Sequence, residues 1–357
     1  MFLLRILLLP FTLLYGLGIF IRNLLYKTGV YTRMDFDFPI VCVGNLSAGG
    51  TGKTPHIEWL LANLSATIKP AVLSRGYLRK SSGYVLASAQ STAADIGDEP
   101  LQMKHKFPNI PVAVCENRVL GVPHLLADAP DTQLILMDDG FQHLGIKAGF
   151  NLVLTPAAAP FYNDWLLPSG RLREFRSGYK RAQAIVVTRC QTGMSKQAQQ
   201  EIRNKIAPQP GQQVYFTGIH YGQTLLPVFE SQPLQTLALK DCSILAFAGI
   251  ANPDSFKGFI ENNSSSLQFI RFSDHHAFTD KELTDLAERF VLMQGNQKII
   301  ITTEKDAKRL QSHPNKKVLQ PLPVYYVPIE IYFLNNDGEQ LIQSILNYVT
   351  ATHTGSH

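Results

Sequence analysis

Three glycines, a lysine and a threonine within six residues are the part of this chain best suited to chemistry. In the run Ser47, Ala48, Gly49, Gly50, Thr51, Gly52, Lys53, Thr54, the glycines let backbone N–H groups turn toward phosphate oxygens with no Cβ in the way. Lys53 can then reach the outer phosphates, and the Thr54 hydroxyl suits Mg2+. The pattern departs from G-x-x-x-x-G-K-[ST] at its first position, where Ser47 stands. A side chain is tolerable there if the residue keeps a negative φ, and the Gly49–Gly50 pair preserves the bend. A glycine-rich turn with a solvated lysine is the bland alternative. The flanks argue against it, because the β-branched run from Phe38 to Ser47 precedes the loop and Ile57, Leu60, Leu61 and Leu64 follow at helical spacing.

Four further groups supply what a phosphate site needs. The hydrophobic run QLILM ends in Asp138 and Asp139, where a carboxylate would face the water shell of a metal bound to phosphates. Adjacent strand residues point to opposite faces, so one of the two is expected to address the metal. Gly97, Asp98, Glu99 and Pro100 precede a helical pattern; carboxylates there are ordinary helix caps, or one of them orients an acceptor hydroxyl and takes its proton. Arg171, Arg173, Arg176, Lys180 and Arg181 crowd eleven residues beside a single Glu174, either to fork onto phosphates or as a solvated face. Asp274, His275 and His276 form a triplet that is a tuned base or a structural pair.

The elements that must position these groups alternate. Short apolar runs at PAVLSRG, IPVAVC, TQLILMDDG, FNLVLT and AQAIVVTR are separated by helix-length stretches, which argues for an α/β fold of the P-loop NTPase type, a mainly parallel sheet flanked by helices. The rhythm resumes from about Gly211 and predicts a smaller C-terminal α/β lobe. The expected division is an N-terminal helix over 1–30, a P-loop core over 31–222 and the lobe over 223–357. In the first 26 residues only Arg5 and Arg22 are charged, and the 16 residues between them would make about 24 Å of helix, somewhat short of a bilayer core of roughly 30 Å. Bulky residues continue past the apolar run, unlike a signal-peptide cleavage site. A membrane-associated helix facing the cytoplasm is preferred over a buried core helix.

Composition is consistent with that choice. Hydrophobic residues make up 45% and charged residues 17% of the 357 residues, with a net charge of +5, a sparse coat that favours anionic partners such as phosphates and lipid headgroups without demanding nucleic acid. The four cysteines are widely spaced with no C-x-x-C, as in reduced cytosolic proteins.

Taken in order, VGNLSAGGTGKTP, SRGY, GDEP, MDDGFQH, LLPSGRLRE, DHH and TTEKDA resemble the tetraacyldisaccharide 4′-kinase family. Ser47 is what that family's loop looks like. The resemblance implies ATP and Mg2+ as cofactors, lipid A disaccharide 1-phosphate as acceptor, membrane lipid as a partner, and the cytoplasmic face of a Gram-negative inner membrane as the location. It also implies Asp98 as catalytic base with His275 in support and His276 as its rival. Lys53, Thr54, Asp138, Asp139 and Arg171 would surround the triphosphate and metal, Arg75 and Tyr77 would lie near the acceptor sugar, and the TTEKDA turn would be on the nucleotide side. A membrane-associated ATPase switch with a signature lysine is the rival of another class; that lysine position is Ala48 here. A soluble sugar kinase would have no use for residues 1–26.

Overall fold

A computed structural model of the chain describes residues 2–355 apart from 223, 230–238, 251 and 275. In chain order its strands are β1 (Ile40–Asn45), β2 (Pro70–Ser74), β3 (Val85–Leu86), β4 (Val112–Val114), β5 (Leu134–Asp138), β6 (Phe150–Pro156), β7 (Ala184–Thr188), β8 (Gln213–Tyr221), β9 (Leu226–Pro227), β10 (Ser243–Ala248), β11 (Ser266–Arg271), β12 (Lys298–Thr303), β13 (Val324–Val327) and β14 (Ile329–Phe333). They form a nine-stranded sheet in the order β14-β8-β7-β6-β1-β5-β2-β4-β3 and a five-stranded sheet in the order β11-β10-β12-β13-β9.

In the larger sheet, β1 pairs in parallel with β5 and β6, and β2, β4, β7 and β8 extend the parallel run; β3 pairs antiparallel with β4 at one edge, and β14 runs antiparallel to β8 at the other, the Leu334 amide on the Phe216 carbonyl and the Gly222 amide on the Pro328 carbonyl. Every residue of β1, β2 and β5 is buried, as strands covered on both faces require. Helix Lys53–Leu64 buries Ile57, Leu60, Leu61 and Leu64, the stripe that its i, i+3, i+4, i+7 spacing predicts.

The smaller sheet shows the same logic in alternation. Leu245, Phe247 and Ile300 pack on one face with Leu283, Leu286 and Phe290 of helix Asp280–Leu292. Ile244, Ala246, Ile299 and Ile301 pack on the other with Phe256 and Ile260 of helix Asp254–Asn263.

Contacts divide the chain into two interleaved units, residues 1–89, 103–219 and 331–357 in the first and 90–102 with 220–330 in the second. The first unit thus takes in residues 331–357 at the end of the chain. β14 joins the larger sheet, and Tyr348 of the last helix bonds the Ile40 amide at 3.1 Å.

Helix Leu9–Lys27, with Pro10 in its first turn where no amide bond is lost, buries only Thr12, Gly16 and Ile19. A core helix would bury apolar residues all round; this one hides one narrow stripe, and Phe11, Leu13, Leu14, Leu17 and Phe20 stand exposed.

Gly44, at the end of β1, admits the turn after β5. A Cβ there would sit 2.6 Å from the Phe141 Cβ and 3.1 Å from its backbone nitrogen. Gly44→Ala is expected to destabilise the protein by about 1–3 kcal/mol, read as a lower urea midpoint at unchanged slope. An unchanged midpoint would mean that the Phe141 turn yields at no cost.

Candidate active site

The first unit gathers the phosphate loop and its companions at the carboxyl ends of the central parallel strands, where open α/β sheets leave a crevice for ligands. β1 runs into the loop, and helix Lys53–Leu64 starts from Gly52 at φ +91°, a left-handed turn that favours glycine. The loop is tied from three sides. Asn45 donates to the Thr51 hydroxyl at 2.8 Å, Thr188 donates to the Thr51 carbonyl at 2.9 Å, and the Ala48 amide donates to the Arg171 carbonyl at 2.6 Å. Beneath it the His56 ring lies between the Gly52 carbonyl (2.7 Å) and the Thr217 hydroxyl (3.0 Å). The first contact requires the proton on Nδ1, leaving Nε2 to accept from Thr217.

The two aspartates diverge because Asp139 leaves the strand in a left-handed conformation at φ +47°, a region that Asp tolerates better than most residues. Asp138 turns back and accepts the Ser74 hydroxyl at 2.8 Å. Asp139 faces Lys53 at 3.7 Å and the Arg173 guanidinium at 2.8 and 3.1 Å. Burial by itself pushes the Asp139 carboxyl up, but Lys53, Arg173 and Arg118 outweigh it and bring the group down to about 2. Arg171, the expected phosphate ligand, has its guanidinium on Asp164 at 2.8 Å. The nearer fork is Arg173, two residues on, which also bonds the Asn45 side chain.

Two further residues emerge only in three dimensions. Arg118, buried at the first turn of helix Arg118–Asp128, reaches the Asp138 and Asp139 carbonyls at 3.4 and 3.2 Å. His143 is pushed down to about 4, first by burial and then by the Arg118 and Arg75 charges, so its ring is neutral at neutral pH. Among the described residues neither the Arg118 Nε nor the His143 Nε2 has a hydrogen-bond partner. Arg75 and Tyr77 are exposed just past β2. Lys53, Arg118 and Arg173 thus gather on Asp139, and the Arg75 charge also acts on Arg118, a balance that favours an anionic ligand. Among the described residues no three His, Cys, Asp or Glu side chains converge as a metal cage. A Mg2+ carried on phosphates needs only one or two carboxylates and a hydroxyl, hard oxygens that Asp138, Asp139 and Thr54 offer.

The second unit holds Asp98. The Arg309 Nε donates to its carboxylate at 2.9 Å, and the same guanidinium reaches Asp306 at 2.7 Å and the Gly249 carbonyl at 3.1 Å. Asp306, fully buried, accepts the Gly249 amide and the Thr303 hydroxyl, and Lys305 pairs with Glu99 at 2.9 Å. The TTEKDA turn therefore braces the Gly97–Pro100 segment. His276 is committed elsewhere: Nε2 is 3.0 Å from both Glu282 oxygens, Nδ1 is 3.3 Å from the Ser273 hydroxyl, and the ring stacks on Phe272. His275 lies outside the described residues.

Comparison with known proteins decides the family. The profile described as Tetraacyldisaccharide-1-P 4′-kinase, LpxK, matches residues 4–349. The chain belongs to the tetraacyldisaccharide 4′-kinase family. It is 41% identical over 351 residues to the tetraacyldisaccharide 4′-kinase of Bacteroides thetaiotaomicron, covering 95% of this chain and 92% of that one. To that of Flavobacterium johnsoniae it is 42% identical, covering 97% and 98%. The crystal structure of the "apo" form of LpxK from Aquifex aeolicus in complex with ATP superposes with a TM-score of 0.73 at 28% identity, over 97% of this chain and 99% of that one. The chain is accordingly a kinase of lipid A biosynthesis with the α/β fold expected of it.

Acid should loosen this kinase through His56. Burial lowers the ring to about 4 from 6.5, the Gly52 bond opposing the shift and Arg189 adding to it. An unfolded chain takes up the proton near 6.5, so this contribution to stability is complete above that pH and is lost as pH falls toward 4. His56→Gln should flatten the fall in unfolding free energy between pH 6.5 and 4 relative to the parent protein. Parallel profiles for the two would exclude His56 as the titrating group.

Proposed function

We propose that this kinase transfers the γ-phosphate of ATP to the 4′-hydroxyl of a tetraacylated glucosamine disaccharide 1-phosphate, forming lipid IV-A at the cytoplasmic face of the inner membrane. The observation that carries the reading is the meeting of Lys53, Arg173 and Asp139 over a glycine loop at the end of a central strand. Loop amides and Lys53 would hold the phosphates, and Arg173 would offset charge on the transferred group. Thr54 and one of Asp138 and Asp139 would hold Mg2+, which would supply charge neutralisation on the phosphates. Asp138 accepts a hydroxyl and Asp139 faces two cations.

On the acceptor side Asp98 would take the 4′-hydroxyl proton. Its ion pair with Arg309 supports this by fixing the orientation of the carboxylate. With both ring nitrogens of His276 engaged, His275 is the assigned supporting histidine. Arg75 and Tyr77, exposed after β2, are assigned to the sugar, with neutral His143 and Arg118 adding donors beside them. Membrane lipid is the assigned partner of helix Leu9–Lys27, the one described helix long and apolar enough to cross a bilayer.

The test is full-length enzyme in detergent micelles with Mg-ATP, the lipid disaccharide 1-phosphate and soluble sugars in parallel. Phosphorylation of the lipid is expected; turnover of soluble sugars alone would reject the assignment. Asp98→Asn should lower kcat by about 10²-fold or more with ATP affinity retained. Normal turnover would reduce Asp98 to a partner of Arg309.

A further inference from the structure

The arginine-bearing loop between Asp164 and Arg176 has little regular structure of its own, so its position depends on what it touches. On one side it is tied to the phosphate loop: Leu172 bridges Ser47, the Arg171 carbonyl accepts the Ala48 amide, and the Arg173 amide donates to the Leu46 carbonyl at 2.8 Å. On the other side it is tied to helix Leu9–Lys27. The Thr12 hydroxyl donates to the Ser169 hydroxyl at 2.7 Å and accepts the Ser169 amide at 3.1 Å, while the Ser169 hydroxyl donates on to the Arg5 carbonyl at 2.9 Å. The Tyr15 hydroxyl donates to the Arg173 carbonyl at 3.0 Å. Gly16 lets Leu166 and Phe175 close on the helix; an added Cβ would lie 3.3 Å from the Leu166 Cδ1.

Arg173 is thus held at three points: its carbonyl by the helix, its amide by the strand end before the phosphate loop, and its guanidinium by Asp139. An apolar helix that served only to hold lipid would have no need of a buried hydroxyl. Yet Thr12 and Ser169 are both buried, at 7% and 5% exposure, and bonded to each other. Unsatisfied, each would cost free energy, so the pair also fixes one register of helix against loop.

We propose that helix Leu9–Lys27 is a positioning element of the nucleotide site, with Thr12 and Tyr15 setting the loop that aims Arg173 at Asp139 and the phosphates. The exposed side of the same helix then has a separate task, so the two sides separate by mutation. This inference rests on reading Ser47–Thr54 as the nucleotide loop.

The test uses full-length enzyme in micelles, with Kd for a fluorescent ATP analogue and KM for ATP and for the lipid acceptor measured on each variant. The double variant Thr12→Val, Tyr15→Phe should raise Kd and KM for ATP by about fivefold or more, the scale of lost hydrogen bonds, with acceptor KM within about twofold. Thr12→Ser should restore what Thr12→Val alone loses. Leu14→Ser on the exposed side should leave ATP affinity unchanged. Thermal unfolding checks that the double variant is folded; should it not fold, Tyr15→Phe alone carries the test. Wild-type ATP affinity in a folded Tyr15→Phe and Thr12→Val, or equal losses in Leu14→Ser, would overturn the proposal. Lys53→Ala tests the underlying reading separately, because undiminished ATP binding there would sink the nucleotide loop itself.

Discussion

The nucleotide unit is organised around one half-buried anion. Asp139 is taken out of the strand at a positive φ and remains partly exposed, and Lys53, Arg173 and Arg118 approach it from three different segments. Each of the three cations therefore ties its own segment, the loop, the arginine segment or the helix, to the same carboxylate. The arrangement also suits catalysis. The Lys53 side chain is only 14% exposed, so its desolvation is met during folding, and an incoming phosphate finds a cation already oriented. A resting carboxylate partner keeps that cation in place until the more highly charged ligand competes for it.

How much of this was legible in sequence depends on whether the requirement is local. A glycine at positive φ, a lysine before a helix and an apolar run of strand length are properties of neighbouring residues, and the loop, β1, β5 and helix Lys53–Leu64 lie where the residue pattern put them. That Arg173 meets Asp139 while Arg171 pairs with Asp164, seven residues earlier, was not legible, because no pattern announces either pairing. Arg118 and His143 were also missed: an arginine opening a helix and a histidine in a turn look solvated until burial is known. The return of β14 to the larger sheet is likewise a pairing across more than a hundred residues.

The second unit teaches the same lesson through charge. Glu304, Lys305, Asp306, Lys308 and Arg309 would pass for the solvated face of a helix by composition alone. Instead Asp306 is fully buried, capped into the turn by Thr303 and bonded to the Gly249 amide, and it orients Arg309 toward Asp98. A carboxylate that orients a guanidinium, which in turn orients a second carboxylate, holds Asp98 more tightly than a helix cap would, since each charge-assisted bond limits the rotamers of the next.

The N-terminal helix presents two different sides with one sequence, a narrow buried stripe and an exposed apolar face. Acceptor and product of a lipid A kinase are amphiphiles, and lifting acyl chains into water costs about 0.8 kcal/mol per CH2, so a site working at headgroup level avoids most of that cost. Such a site needs an element that is apolar outward and specific inward. Phe11, Leu13, Leu14 and Leu17 meet the first need by bulk alone, and many sequences would do as well. Thr12, Tyr15 and Gly16 meet the second through two hydroxyls and one missing Cβ, interleaved with those same residues. Because helical geometry fixes the angle between the two sides, a helix seated in lipid by the first set cannot rotate without straining the second. A helix so seated would pass its orientation on to the loop bearing Arg173 through those same bonds.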